Sequence, residues 1–108
     1  MTQKNDVYVS SGNIFADLGL PNPEERLVKA ELVRKISETI NHRKLTQVQA
    51  AEILGIDQPK VSALIRGRLS GFSTDRLLYF LNALGNDIEI IVKPKPEYRQ
   101  KGQTSVVY

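Results

Sequence analysis

The apolar positions of this chain fall into stripes of helical spacing between residues 23 and 84, then switch to alternation over a short β-branched run. Leu32 or Val33, Ile36 and Ile40 recur at intervals that turn one helix face inward, and Lys29, Arg34, Lys35 and Glu38 suit the wet face. Asn22 can cap this first helix, Pro23 fits the first helical position and Glu25 can close a capping box, so the helix is predicted from there to Asn41–Arg43. Thr46 caps a second helix with Val48, Ala51 and Leu54 inward, and Gly55 supplies a tight turn. Asp57 caps a third helix, with Pro59 in its first turn; Val61, Leu64 and Ile65 face the core and Gly67 stops it. A fourth helix starts at Ser73 or Thr74, buries Leu77, Leu78, Leu81 and Leu84 with Phe80 at the edge, and breaks at Gly85-Asn86.

The β-branched run Asp87–Lys93 reads as a strand on which Ile88, Ile90 and Val92 share one face, and Pro94 and Pro96 end it. A lone strand leaves backbone groups unpaired. Its partner is Val7–Val9 of the same chain, the matching strand of a second copy, or another protein; pairing across a two-fold axis is the most economical. The expected organisation is an N-terminal arm over 1–22, a helical domain over 23–85, a C-terminal strand over 86–94 and a flexible polar tail over 95–108. In the arm, Val7–Val9 suits a short strand and Ile14–Leu20 is apolar enough to dock on a core. The fold class is mainly α, with four to five helices and a C-terminal strand used in dimerisation.

The stretch from Thr46 to Gly67 has the spacing of a helix-turn-helix, which sets one helix across a DNA backbone and lays the next in the major groove. On the outward face of the third helix stand Gln58, Pro59, Lys60, Ser62 and Ala63, the candidate base-reading residues. A glutamine amide matches the donor and acceptor of adenine, and Pro59 and Ala63 offer apolar contact to a thymine methyl. Arg43, Lys44, Thr46, Gln47, Arg66, Arg68, Thr74 and Arg76 surround them as candidate phosphate ligands, with backbone amides near Ser73 and Thr74 available to an anion. Charge supports that placement. The whole chain carries only +3, with a pI near 9.3, a weak pointer to an anionic partner. Residues 34–76 hold eight basic and four acidic side chains, a local excess of +4 around the motif.

Other chemistries find little support. The 108 residues leave room for one domain and hold no cysteine, so disulfides and thiolate metal sites are excluded. His42 is the sole histidine, placed at a helix end, and Glu24-Glu25 suits helix N-terminal electrostatics better than acid–base work. No phosphate loop or metal-ligand spacing occurs, so neither an enzyme nor a cofactor is expected. No apolar run suits a membrane span or a signal peptide, and a cytoplasmic location is expected.

Thr46-Gln47, Ala51, Gly55-Ile56, Gln58, Val61-Ser62 and Gly67 together resemble the XRE, or phage-repressor-like, helix-turn-helix family. The likeness implies that Ala51 marks a close helix contact, that Val61 plugs the underside of the recognition helix, and that Gln47 braces Gln58 while touching a phosphate. Ser10–Asn13, Phe15–Gly19, the long first helix, Gly67–Phe72 and Leu84–Ile88 extend the resemblance, over about residues 10–93, to HigA-type antitoxins. It implies a repressor of its own operon that binds a palindromic double-stranded operator as a homodimer and neutralises a RelE/HigB-like toxin. A stand-alone XRE-type regulator without a toxin is the alternative.

Overall fold

The computed structural model describes residues 23–108, which hold four helices: α1 (Pro23–His42), α2 (Gln47–Leu54), α3 (Gln58–Ile65) and α4 (Thr74–Ala83). The arm over residues 1–22, with its Val7–Val9 strand, its Ile14–Leu20 docking segment and the Asn22 cap, lies outside the described residues. No described helix is long and apolar enough to cross a membrane.

The long α1 is the spine. Its stripe Val28, Leu32, Val33, Ile36 and Ile40 is buried, and α4 packs along it. α3 lies across α1, and α2 packs on α3. Ile36, Val61, Leu64, Leu77 and Phe80 are the largest fully buried side chains, one from α1, two from α3 and two from α4. Each such side chain contributes about 1.5–3 kcal/mol on leaving water.

Local signals set the helix ends. Thr46 and Gln49 form a reciprocal capping box at the start of α2: the Gln49 N–H donates to Thr46 Oγ1 at 3.1 Å and Gln49 Oε1 accepts the Thr46 N–H at 2.9 Å. Asp57 Oδ1 accepts the Lys60 N–H at 3.0 Å to open α3, and Ser73 Oγ accepts the Arg76 N–H at 3.2 Å to open α4. Each helix is followed by a residue in the left-handed region, where the chain folds back to satisfy the last carbonyls. At Gly55, Gly67 and Gly85 this conformation costs little, but after α1 the position is taken by Lys44, with φ 56°.

Several inward assignments change. Val48 is 54 % exposed and Ala50 is fully buried instead, so the inner seam of α2 runs through Ala50 and Leu54, with Ala51 only half-buried. The neighbouring helices approach closely enough that a methyl group fills the space, and size alone misled. Ile65, expected in the core, is 41 % exposed at the last turn of α3. Phe80, expected at an edge, is buried, and the loop residue Phe72 packs edge-on against it with ring centroids 6.0 Å apart.

The C-terminal strand expected over 86–94 is absent as a strand among the described residues; the chain there has neither helix nor ladder. A ladder needs a second row of backbone donors and acceptors, and the described part of one chain offers none. Ile88 packs on the core while Ile90 and Val92 stand about half exposed. The tail expected to move freely over 95–108 meets α1 instead: Val106 packs on the core and the Thr104 N–H donates to the Glu24 carboxylate. The Tyr108 hydroxyl donates to Glu31 and accepts from Arg34 Nη2 at 2.9 Å, its ring lying beneath the Arg34 and Lys35 cations. Thr104, Val106 and Tyr108 alternate along the tail, a spacing that puts all three on one side of an extended chain.

Candidate nucleic-acid interface

The third helix has two distinct faces. Val61 and Leu64 are fully buried against the other helices. Gln58, Pro59 and Lys60 occupy the exposed first turn, Ser62 and Ala63 are half-buried along the same helix, and Arg66 is exposed at its end. The local sequence produces this arrangement. The Asp57 carboxylate satisfies an amide of the first turn, Pro59 sits where no amide hydrogen is needed, and the last turn closes with the Gly67 N–H on the Leu64 carbonyl and the Arg68 N–H on the Ala63 carbonyl. An α-helix with its side chains is about 10–12 Å across, a diameter that the roughly 12 Å wide major groove admits.

An open hollow of about 430 Å³ brings Gln58 and Lys60 of α3 to one surface with Val48 and Glu52 of α2 and Arg76 of α4. The Arg76 guanidinium carbon stands 5.3 Å from the Phe80 ring centre and 6.0 Å from that of Phe72, so two aromatic rings steady this cation from below. Gln47 is exposed at the first position of α2 and Thr46 is engaged in its capping box.

The remaining candidates sit differently. Arg43 donates from Nη1 to the Leu84 carbonyl at 3.0 Å, tying the end of α1 to the end of α4 opposite Arg76. That bond gives Arg43 a structural duty in addition to any phosphate contact. Lys44 is exposed in its left-handed turn. The Thr74 hydroxyl is buried and has no hydrogen-bond partner among the described residues. Sequence reasoning overlooked Gln49 and the exposed Val48; the Thr46-x-x-Gln49 capping-box pattern was the available signal for the first.

Ion pairs line part of α1. On α1, Lys29 pairs with Glu25 at 3.5 Å and Arg34 with Glu31 and Glu38 at 2.9 and 2.5 Å. Arg34 holds the Glu31 carboxyl below the usual carboxylate range, with the Tyr108 hydroxyl adding to the effect. Among the described residues Lys60, Arg66 and Arg68 form no ion pair.

A helix-turn-helix domain family matches residues 14–93. A solved structure titled as an XRE family transcriptional regulator is 45% identical, covers 82% of this chain and 99% of its own, and superposes with a TM-score of 0.77. The chain belongs to the XRE family of helix-turn-helix proteins. No curated protein matches it. In this XRE-family fold α2 and α3 form the helix-turn-helix, with α1 packed on α3 and α4 packed on α1 and α2.

Proposed function

We propose that this XRE-family regulator is a sequence-specific repressor that lays α3 in the major groove of an operator, most economically as a homodimer on a palindrome. The observation that supports it is the division of the third helix: Val61 and Leu64 are locked into the core while Gln58, Pro59 and Lys60 stand exposed in its first turn and Arg66 at its end. In this reading the Gln58 amide pairs with an adenine edge, Pro59 and Ala63 meet thymine methyls, and Lys60 and Ser62 reach bases or phosphates. Gln47, Thr46, Lys44, Arg66, Arg68 and Arg76 grip the backbone, supplying affinity and salt dependence without base preference. Two copies place their recognition helices about 34 Å apart, one turn of the duplex.

The experiment is selection of bound duplexes from a random pool, followed by gel-shift titration at several salt concentrations. A palindromic consensus with a steep salt slope supports the reading. Enrichment of no sequence overturns base recognition.

The likeness to HigA-type antitoxins adds a second role, neutralisation of a RelE/HigB-like toxin, with a stand-alone regulator as its competitor. It draws on the residue pattern over 10–93 and on the segment Ile88–Lys93, whose backbone groups have no hydrogen-bond partner among the described residues and are open to strand addition. Co-expression with the product of an adjacent reading frame decides between them: rescue from toxicity supports the antitoxin, and the absence of any toxic neighbour favours the stand-alone regulator.

A further inference from the structure

Residues 86–96 leave the helical core without forming regular structure, and no backbone group of 87–95 has a hydrogen-bond partner among the described residues. The segment is not polar filler. It carries Ile90, Ile91 and Val92 exposed on the surface, Ile91 at 73 %. Its charges are segregated: Asp87 and Glu89 precede the apolar centre, and Lys93 and Lys95 follow it. No ion pair engages any of the four among the described residues.

That pattern is complementary to itself when reversed. A two-fold axis perpendicular to a two-stranded antiparallel sheet pairs residues of equal parity, so the register is named by the residue on the axis. With Ile91 on the axis, Ile91 faces the partner's Ile91, Glu89 faces the partner's Lys93, and Asp87 faces the partner's Lys95. Ile90 and Val92 then pair on the opposite face, the side on which Ile88 meets the core. Moving the axis to Ile90 or to Val92 keeps only one type of opposite-charge pair, and the latter also sets Asp87 against Glu97. An axis at Glu89 or Lys93 puts like charges face to face, which destabilises a sheet.

The prolines select the same arrangement. In an antiparallel pair alternate residues direct both N–H and C=O at the partner strand. Pro94 and Pro96 have no N–H and share parity with Ile88, Ile90 and Val92. The bonding residues are then Asp87, Glu89, Ile91, Lys93 and Lys95, and both prolines fall on the outer edge. There they cost no ladder bond and hinder a third strand.

We propose that residues 87–95 form the dimer strand of this protein, pairing with a second copy in the register centred on Ile91 and locked by Glu89–Lys93 and Asp87–Lys95 contacts. The proposal supplies the interface for the homodimeric repressor suggested above and rests on that reading for its purpose. Its test needs no DNA, so a failure of dimerisation and a failure of operator recognition are separately visible.

The chain has no cysteine, so one engineered thiol is unique. In the proposed register the two Ile91 Cα atoms lie about 5.5 Å apart, within disulfide range. The two Glu89 positions are four residues out of register, about 13 Å apart. Mild oxidation of Ile91→Cys therefore gives a covalent dimer, while Glu89→Cys stays monomeric on a denaturing gel. Sedimentation velocity supplies an independent reading. Glu89→Lys or Lys93→Glu alone weakens the dimer about tenfold or more, and combining the two restores it, since the pair is merely exchanged. Circular dichroism of each variant confirms that the helices persist. Cross-linking through Glu89→Cys in place of Ile91→Cys overturns the register. A wild-type chain that sediments as a monomer, or a dimer indifferent to both single charge reversals, overturns the interface and leaves the segment to a different protein.

Discussion

The two faces of α3 are separable by mutation. Val61 is fully buried, and Val61→Ala removes two carbons from the core. At about 0.8 kcal/mol per buried methylene the transfer loss is about 1.6 kcal/mol, and the cavity left behind raises the total to about 2–3 kcal/mol. For a domain of this size that lowers Tm by roughly 10–20 °C. Gln58 is exposed, so Gln58→Ala is expected to change stability by less than about 0.5 kcal/mol. Its loss removes a bidentate base contact worth about 1–3 kcal/mol, or about 5- to 150-fold in preference for the selected operator. Val61→Ala, assayed well below its lowered Tm, keeps its operator preference. The assays are thermal unfolding by circular dichroism and competition gel shifts with matched and mismatched duplexes. If Gln58→Ala lowers Tm as far as Val61→Ala does, or weakens binding to every duplex equally, α3 does not have one structural face and one reading face.

Other consequences are simpler. Arg66→Ala is expected to weaken all duplexes alike and to reduce the slope of log affinity against log salt by about 1, measured by fluorescence anisotropy; an unchanged slope removes Arg66 from the phosphate contacts. Asp57→Ala deletes the cap that accepts the Lys60 amide and is expected to cost about 1 kcal/mol in urea unfolding, whereas Asp57→Asn retains most of it. Lys44→Gly relieves a left-handed residue at φ 56° and is expected to stabilise the fold by about 0.5–1 kcal/mol, because the strain relieved exceeds the added chain entropy. The Glu31 carboxyl is held below its ordinary value by Arg34 and then by the Tyr108 hydroxyl. Its contribution is therefore complete at neutral pH and is lost as pH falls through the lowered folded value, which NMR of the Tyr108 ring during acid titration reports.

The helix boundaries were legible because local chemistry sets them. Thr46, Asp57 and Ser73 cap their helices through neighbouring amides, and Gly55 and Gly67 take the conformation that ends the preceding helix. The exposure of Gln58 and Lys60 follows from their place in the first turn after the Asp57 cap, ahead of the buried Val61 and Leu64. What escaped depends on distant parts of the chain. Exchanging Val48 for Ala50 as the buried residue of α2 needs the closeness of neighbouring helices, which no periodicity reports. The Phe72 ring is buried only because α4 brings Phe80 beneath it. Tyr108 reaches Arg34 across most of the domain's sequence. Asp87–Lys93 has strand composition but, in a single described chain, no second row of backbone groups to complete it. The bond from Arg43 to the Leu84 carbonyl spans 41 residues, which no local pattern reports.

The most direct measurement is an NMR titration of the isotope-labelled chain with a short duplex at low ionic strength, following every backbone amide. The largest shifts are expected at Gln47 and from Gln58 to Arg68, with Arg76 beside them and the middle of α1 nearly silent. Shifts confined to α1 and the C-terminal tail, or none at all, would contradict a recognition helix at α3.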